Sequence, residues 1–314
     1  MQSTQSMDDY MNKSSYFVED LALFGSSPTQ QFVDYLEEEL DIRYFVDLTY
    51  DNERNIDAYT TRYTKIRYPI KDQKIPTNQL EFCKLVLRLC DILKAGGKMY
   101  LHCKGGHGRS GVVVAAVLGV YHNVGSEEAL AMTYKFHQNR KVMRDRWRII
   151  GSPQTYAQKE FIRQLFYPIY YNTYGNVEYK YLSTFSKHTV SCRGFGPSMD
   201  RVLTFPTSEA AYQAYKNPGN LEYVLNQSNA LSPKVSKELG KAVKLRDDWE
   251  NIKERIMMVV IKSKFEQHPD IRELLIHTGL RIIIKCSKRT SFWNTSSENR
   301  MGKLLMSIRQ QIIY

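Results

Sequence analysis

In the first half of the chain, apolar residues fall in two rhythms: short runs of strand length and longer stretches at helical spacing. Phe32, Tyr35, Leu36 and Leu40 follow Ser27-Pro28 at helical spacing. This predicts a helix capped by Ser27, with Pro28 at its first position. Tyr44-Phe45-Val46-Asp47-Leu48 reads as a strand, and Leu80 to Leu93 as a helix closed by Gly96-Gly97. Lys98-Met99-Tyr100-Leu101-His102 is a second strand. A glycine-rich turn follows it, and then Val112 to Tyr121, apolar and of helical length. Ser126 is expected to cap a further helix through Phe136. Tyr68-Pro69-Ile70-Lys71-Asp72 runs into a loop, because Pro76 follows closely. Strands alternating with helices predict an α/β domain with a mostly parallel sheet flanked by helices.

From Phe166 to Tyr181 the rhythm breaks. This stretch holds six tyrosines and few helix formers, and a domain boundary is placed there. Beyond it helices dominate: Ser208–Lys216, Ser232–Val243, Asp247–Phe265, Pro269–Thr278 and Arg300–Ile313, with one strand from Leu280 to Lys285. The expected organisation is a flexible lead-in over 1–15, an α/β domain over 16–170 and a mostly helical α+β domain over 171–314. No apolar run reaches the roughly 18–20 residues of a membrane helix. The polar, acidic N-terminus lacks the apolar stretch of a secretion signal.

Composition adds little, but charge adds something. The 314 residues carry a formal net charge of +11. Residues 1–172 hold 22 Lys and Arg against 20 Asp and Glu, whereas residues 173–314 hold 22 against 13. The excess on the second half is either a solvated basic face or a site for an anion such as a nucleotide or nucleic acid. The five cysteines are odd in number and contain no CxxC pair, so free thiols, an intracellular (cytoplasmic or nuclear) setting and no metal site are expected.

One stretch stands apart: His102-Cys103-Lys104-Gly105-Gly106-His107-Gly108-Arg109-Ser110-Gly111. A loop that opens a helix turns backbone N–H groups inward and cradles an anion. Glycines permit the tight turns this needs. A cysteine at the base of such a loop sits in a positive field that favours its thiolate. An arginine can grip two phosphate oxygens at once. Ser110 is positioned to hydrogen-bond the thiolate, and His102 to orient the loop. A Walker-type nucleotide loop would end in Gly-Lys-Ser/Thr, and this one ends in Gly-Arg-Ser.

These residues resemble the protein tyrosine/dual-specificity phosphatase family, whose motif is His-Cys-x5-Arg-Ser/Thr. The resemblance implies phosphomonoester hydrolysis with Cys103 as nucleophile. Lys104, Gly105, Gly106, His107, Gly108 and Arg109 would bind the phosphate, and no cofactor or metal would be needed. It also implies a general acid on a movable loop before the cysteine, matched by Asp72. Asp51, Glu53 and Asp57 are weaker candidates, read as surface charges. Ser152-Pro153-Gln154-Thr155 with Gln158 resembles the family's late motif, in which a glutamine positions water. The domain is compact, as in dual-specificity enzymes. Lys104, His107 and the cluster Lys141, Arg144, Arg146 and Arg148 keep several substrates open: phosphoprotein, a phosphoinositide or an RNA 5′ end.

The second half has its own series. Leu182-Ser183-Thr184-Phe185, the Ser208-Glu209 helix with Ser208 as cap, Arg246-Asp248-Trp249, Lys264-Phe265, Thr278-Gly279, Phe292-Trp293 and Asn299 to Met306 occur in one order. They resemble the NADAR (YbiA-like) family across residues 178–314. The resemblance implies action on N-glycosidic bonds of ADP-ribose-type nucleotides. Glu209 would stabilise the oxocarbenium-like state, and Lys216, Trp249, Trp293 and Asn299 would contact the ligand. Lys285 and Thr290 stand where members carry acidic residues, and Asn294 where they carry glycine. Two readings therefore stay open: a glycosidase, or a binder of ADP-ribose or nucleic acid.

Overall fold

A computed structural model of the chain describes residues 8–172, 178–286, 291–294 and 298–313. It divides into two compact units, Met1–Tyr167 and Pro168–Tyr314.

The first unit is a five-stranded sheet with helices around it. Its elements are β1 (Ser15–Val18), β2 (Ala22–Gly25), α1 (Gln30–Glu38), β3 (Tyr44–Asp47), β4 (Thr64–Arg67), α2 (Gln79–Lys94), β5 (Met99–His102), α3 (Arg109–Tyr121), α4 (Ser126–Gln138), α5 (Asp145–Ile150) and α6 (Tyr156–Leu165). Strand order is β1-β2-β5-β3-β4. β2, β5, β3 and β4 pair in parallel, and β1 is antiparallel to β2. The α/β expectation therefore holds, with one antiparallel edge added. Register pairs His102 with both Gly25 and Asp47, so three strands end together where β5 gives way to Cys103. Ligands of open parallel sheets bind beyond such carboxyl ends.

The core explains the placement. Leu23, Phe32, Val33, Leu36, Phe45 and Tyr100 form one buried cluster that locks α1 onto the sheet. Val112 to Leu118 are fully buried, so α3 runs through the interior and its first turn is rigidly held. Burying that many apolar side chains contributes on the order of 1.5–3 kcal/mol each before entropy is counted.

Two expected caps of this unit move by one or two residues. Thr29, not Ser27, caps α1, through its side chain to the Phe32 N–H. Gly125 precedes α4, and Ser126 is already helical. The lead-in is also shorter than expected: residues 8–12 are helical, and Tyr10 and Met11 pack on the α1 cluster.

The second unit comprises β6 (Ile169–Tyr171), β7 (Val190–Phe195), β8 (Arg201–Phe205), α7 (Ser208–Ala214), α8 (Leu221–Ser228), α9 (Pro233–Ala242), α10 (Trp249–Gln267), α11 (Pro269–His277), β9 (Ile283–Lys285) and α12 (Arg300–Ile313). β7 and β8 form an antiparallel hairpin, and β6 pairs in parallel with β9. The helices surround a core that includes Trp249, Val260, Ile261, Phe265, Leu275 and Leu305. No helix among the described residues is long and apolar enough to cross a membrane.

Candidate active site

The loop from Cys103 to Gly108 joins the carboxyl end of β5 to the start of α3. Cys103 is 3% exposed, and its Sγ accepts the Gly106 N–H at 3.3 Å. Gly106 has φ +73, and a Cβ there would lie 2.4 Å from the Gly25 carbonyl. Only glycine fits, because the conformation and the close approach both exclude a side chain.

Arg109 is 1% exposed and opens α3. Its Nη1 donates to Glu53 Oε2 at 2.6 Å and to the Ile70 carbonyl at 3.0 Å. Its Nη2 donates to Glu53 Oε1 at 2.7 Å and stands 3.0 Å from Asp72 Oδ1. A guanidinium has five N–H donors. Three are hydrogen-bonded, Asp72 adds an ion pair at Nη2, and the Nε–H is buried without a partner. Burial works against the charge of Arg109, but Glu53, Cys103 and Asp72 together hold it more firmly protonated than usual. Burial would raise the Glu53 carboxyl, yet the hydrogen bonds from Arg109 hold it below the usual carboxylate range. The expectation of Glu53 as a surface charge is therefore corrected: it grips the arginine with both oxygens.

Asp72 stands at the mouth, its side chain 59% exposed, in a turn closed by the Lys74 N–H to the Lys71 carbonyl. Gln158 anchors that turn through Nε2 to the Lys74 carbonyl at 3.1 Å. Its Oε1 accepts from the Gln154 and Thr155 N–H groups, within the capping box that starts α6. A Cβ on Gly108 would lie 3.0 Å from the same Oε1, so Gln158 borders the loop.

Other predicted residues are used differently. His107 turns its ring away from the loop's interior: Nδ1 pairs with His137 Nε2 at 2.8 Å, and the ring stacks on Trp147. Burial and Arg140 push His107 down to about 3, so the ring brings no charge to a phosphate. The Lys104 ammonium is tied to the Arg54 carbonyl at 2.8 Å. Ser110 Oγ is buried without a hydrogen-bond partner, so its expected bond to the sulfur is not formed. His102 Nε2 pairs with the Tyr59 hydroxyl at 2.7 Å, and burial pushes the ring down to about 4, which keeps it neutral. Of the basic cluster, Arg148 caps the carbonyls of Gln138, Arg140 and Lys141, while Lys141, Arg144 and Arg146 are exposed.

Two supports carry no local signal in the sequence. Arg140, buried, donates to the carbonyls of Gly106 at 2.8 Å and Phe24 at 3.3 Å. Ser152 Oγ donates to the His107 carbonyl at 2.6 Å.

In the second unit Glu209 is 7% exposed near the start of α7. Thr207, not Ser208, caps that helix. Glu209 Oε2 accepts from Thr184 Oγ1 at 2.9 Å, and Oε1 from Gln213 Nε2 at 2.8 Å. Burial lowers the pKa of both Lys216 and Lys285, and the Glu209 charge opposes that shift in each, which places both lysines in its field. Lys216 Nζ donates to the Gly240 carbonyl at 2.7 Å. Asn299 is spent on the backbone of β9, bonding the Ile283 carbonyl and the Lys285 N–H. Trp249 is buried against Tyr212, a core position, and the half-buried Trp293 meets the same ring edge-on. Thr290 lies outside the described residues. Among those described, no cluster of metal-ligating side chains occurs.

The Arg109–Glu53 pair yields a direct expectation. Glu53→Ala leaves a buried guanidinium half-unpaired and should cost about 3–5 kcal/mol, read as an earlier urea transition. Because the folded pKa of Glu53 is lowered, its contribution is complete above the unfolded value of about 4.3 and fades as pH falls through the folded value. The gap between variant and parent should therefore close in acid; an equal gap at pH 7 and pH 3 contradicts the pairing.

Comparison with known proteins agrees with this division. A family described as a polymorphic toxin system DSP-PTPase phosphatase matches residues 22–123, and the NADAR domain family matches residues 170–313. "Putative tyrosine phosphatase 197R" of Invertebrate iridescent virus 6 is 30% identical over 290 residues, covering 88% of this chain and 90% of that protein. "Putative tyrosine phosphatase 067L" of Invertebrate iridescent virus 3 is 37% identical over 161 residues, 50% of this chain and 66% of that protein. "N-glycosidase YbiA" of Escherichia coli K12 is 33% identical over 115 residues, 35% of this chain and 71% of that protein. The chain belongs to the tyrosine/dual-specificity phosphatase family through its first unit and to the NADAR family through its second, a fusion that its similarity to the 197R protein spans.

Proposed function

We propose that the first unit hydrolyses phosphomonoesters through a phosphocysteine intermediate. The observation that carries this reading is the pairing, on one amide-lined turn, of a sulfur that receives the Gly106 N–H with a guanidinium whose Nε–H is uncommitted. A phosphate entering the turn takes that Nε–H and displaces Asp72 from Nη2. Asp72 is then released beside the leaving group and takes up a proton from solvent. The Cys103 thiolate attacks phosphorus, the ester P–O bond breaks, and Asp72 gives its proton to the departing oxygen. Water next attacks the phosphocysteine; Asp72 takes the water's proton, the S–P bond breaks, and inorganic phosphate leaves. Arg109 and the loop amides stabilise the equatorial oxygens throughout. Gln158 acts in this reading by holding the Asp72 turn against the loop. The names of the iridoviral relatives favour a phosphoprotein as substrate. The exposed Lys141, Arg144 and Arg146 keep a phosphoinositide or an RNA 5′ end as rivals.

We infer that the second unit acts on the N-glycosidic bond of an ADP-ribose-type nucleotide. Glu209 is its carboxylate, aimed by Thr184 and Gln213. One observation favours binding without hydrolysis: Lys285, at a position where the family carries an acid, feels the Glu209 charge and neutralises part of it.

Cys103→Ser should abolish turnover of a generic aryl phosphate, and retained turnover would refute the nucleophile. Asp72→Asn should lower kcat by about 10²–10⁴-fold, the range of a general acid, with KM changed only a few-fold; an unchanged kcat moves the acid elsewhere. On ADP-ribosylated guanosine the full chain should release ADP-ribose, and Glu209→Gln should not. Tight binding without release would select the binder.

A further inference from the structure

The second unit holds a cavity of about 520 Å³, within the range of roughly 300–1,000 Å³ usual for small-molecule sites. Its lining includes none of Glu209, Lys216, Lys285, Trp249, Trp293 or Asn299. Tyr181, Phe185, Ile271 and Leu274 give it aromatic and aliphatic walls. Lys180, Lys187 and His188 also line it, and Glu178 is the one acid among its described lining residues. His188 Nδ1 is buried without a hydrogen-bond partner.

Beneath the cavity lies a charge in search of a partner. Lys264 is fully buried. Its Nζ donates to the carbonyls of Tyr181 at 2.6 Å and Ser183 at 3.2 Å and reaches Ser186 Oγ at 3.5 Å. Tyr181 and Ser186 both line the cavity. No carboxylate forms an ion pair with Lys264 among the described residues, and burial drives its pKa down to about 7. A buried cation without a counter-charge is costly. An anion in the cavity, whose lining shares Tyr181 and Ser186 with the Lys264 contacts, would supply the missing charge.

We propose that this cavity is a second ligand site, which takes a planar aromatic group bearing a phosphate, with the dimensions of a nucleoside monophosphate. The ring lies among Phe185, Tyr181, Ile271 and Leu274, and the phosphate meets Lys187, Lys180 and His188. The site lies apart from both proposed hydrolytic centres, but its lining is contiguous with Thr184, which holds Glu209. Between Ser183 and Phe185 stands Thr184, whose Oγ1 donates to Glu209 and whose carbonyl accepts the Glu209 N–H at 3.0 Å. A ligand pressed on Phe185 therefore bears on the residue that aims the carboxylate.

The test uses the full chain with Cys103→Ser, so that the probe survives, and AMP as probe in isothermal titration. Leu274→Trp fills the cavity and Lys187→Glu reverses an exposed charge; the second keeps the test valid should the first fail to fold. Each should weaken AMP binding at one site by tenfold or more. In the Cys103 parent, both should leave aryl phosphate turnover unchanged. Adenosine should bind at least tenfold more weakly than AMP. Identical AMP isotherms with and without Lys187→Glu would place AMP outside this cavity, at the Cys103 loop or beside Glu209, and overturn the proposal. Equal affinity for adenosine and AMP would overturn it as well.

Discussion

A single buried guanidinium organises the first unit. Arg109 sits where three strand ends and the first turn of α3 meet, and its burial would be prohibitive without compensation. Glu53 supplies that compensation with both carboxylate oxygens, the Ile70 carbonyl accepts a third hydrogen bond, and Asp72 adds an ion pair. The consequence is geometric. With the Nη groups committed in this way, the Nε–H is the donor left buried without a partner. In the proposed reading, structural stability and phosphate binding are two uses of one side chain.

The loop is equally constrained from behind. Arg140 and Ser152 hold the carbonyls of Gly106 and His107, fixing the peptides that carry the His107 and Gly108 N–H groups. The peptide before them turns its Gly106 N–H onto the sulfur. The His107–His137–Trp147 stack fills the outer side with neutral rings. Electrostatic pre-organisation of this kind costs little reorganisation when charge arrives.

The second unit uses different physics. Its carboxylate, Glu209, is aimed by two neutral hydrogen-bond donors rather than by an ion pair. Lysines at 216 and 285 share its field, and a third buried lysine, Lys264, is solvated only by carbonyls and a hydroxyl. Several partly desolvated ammonium groups in one small unit make its interior receptive to anions, in keeping with the excess of basic residues in residues 173–314.

The amino-acid sequence by itself determined what lies close along the chain. The Cys103–Arg109 loop, the strand before it and the helix after it were all legible, because six consecutive peptides and an apolar flank define that shape locally. The Asp72 turn followed from its prolines, and most helices of the second unit from their spacing. Short or polar strands such as Thr64–Arg67 and the β7–β8 hairpin were not legible, since their pairing partners, rather than their own residues, make them strands. Tertiary structure alone decided that Glu53, 56 positions before Arg109, would close on it. It alone turned His107 toward His137, spent Asn299 on β9 and set Thr184 against Glu209. The reason is the same in each case: a charge or hydrogen-bond donor finds its partner through folded space, and spacing along the chain carries no record of that meeting.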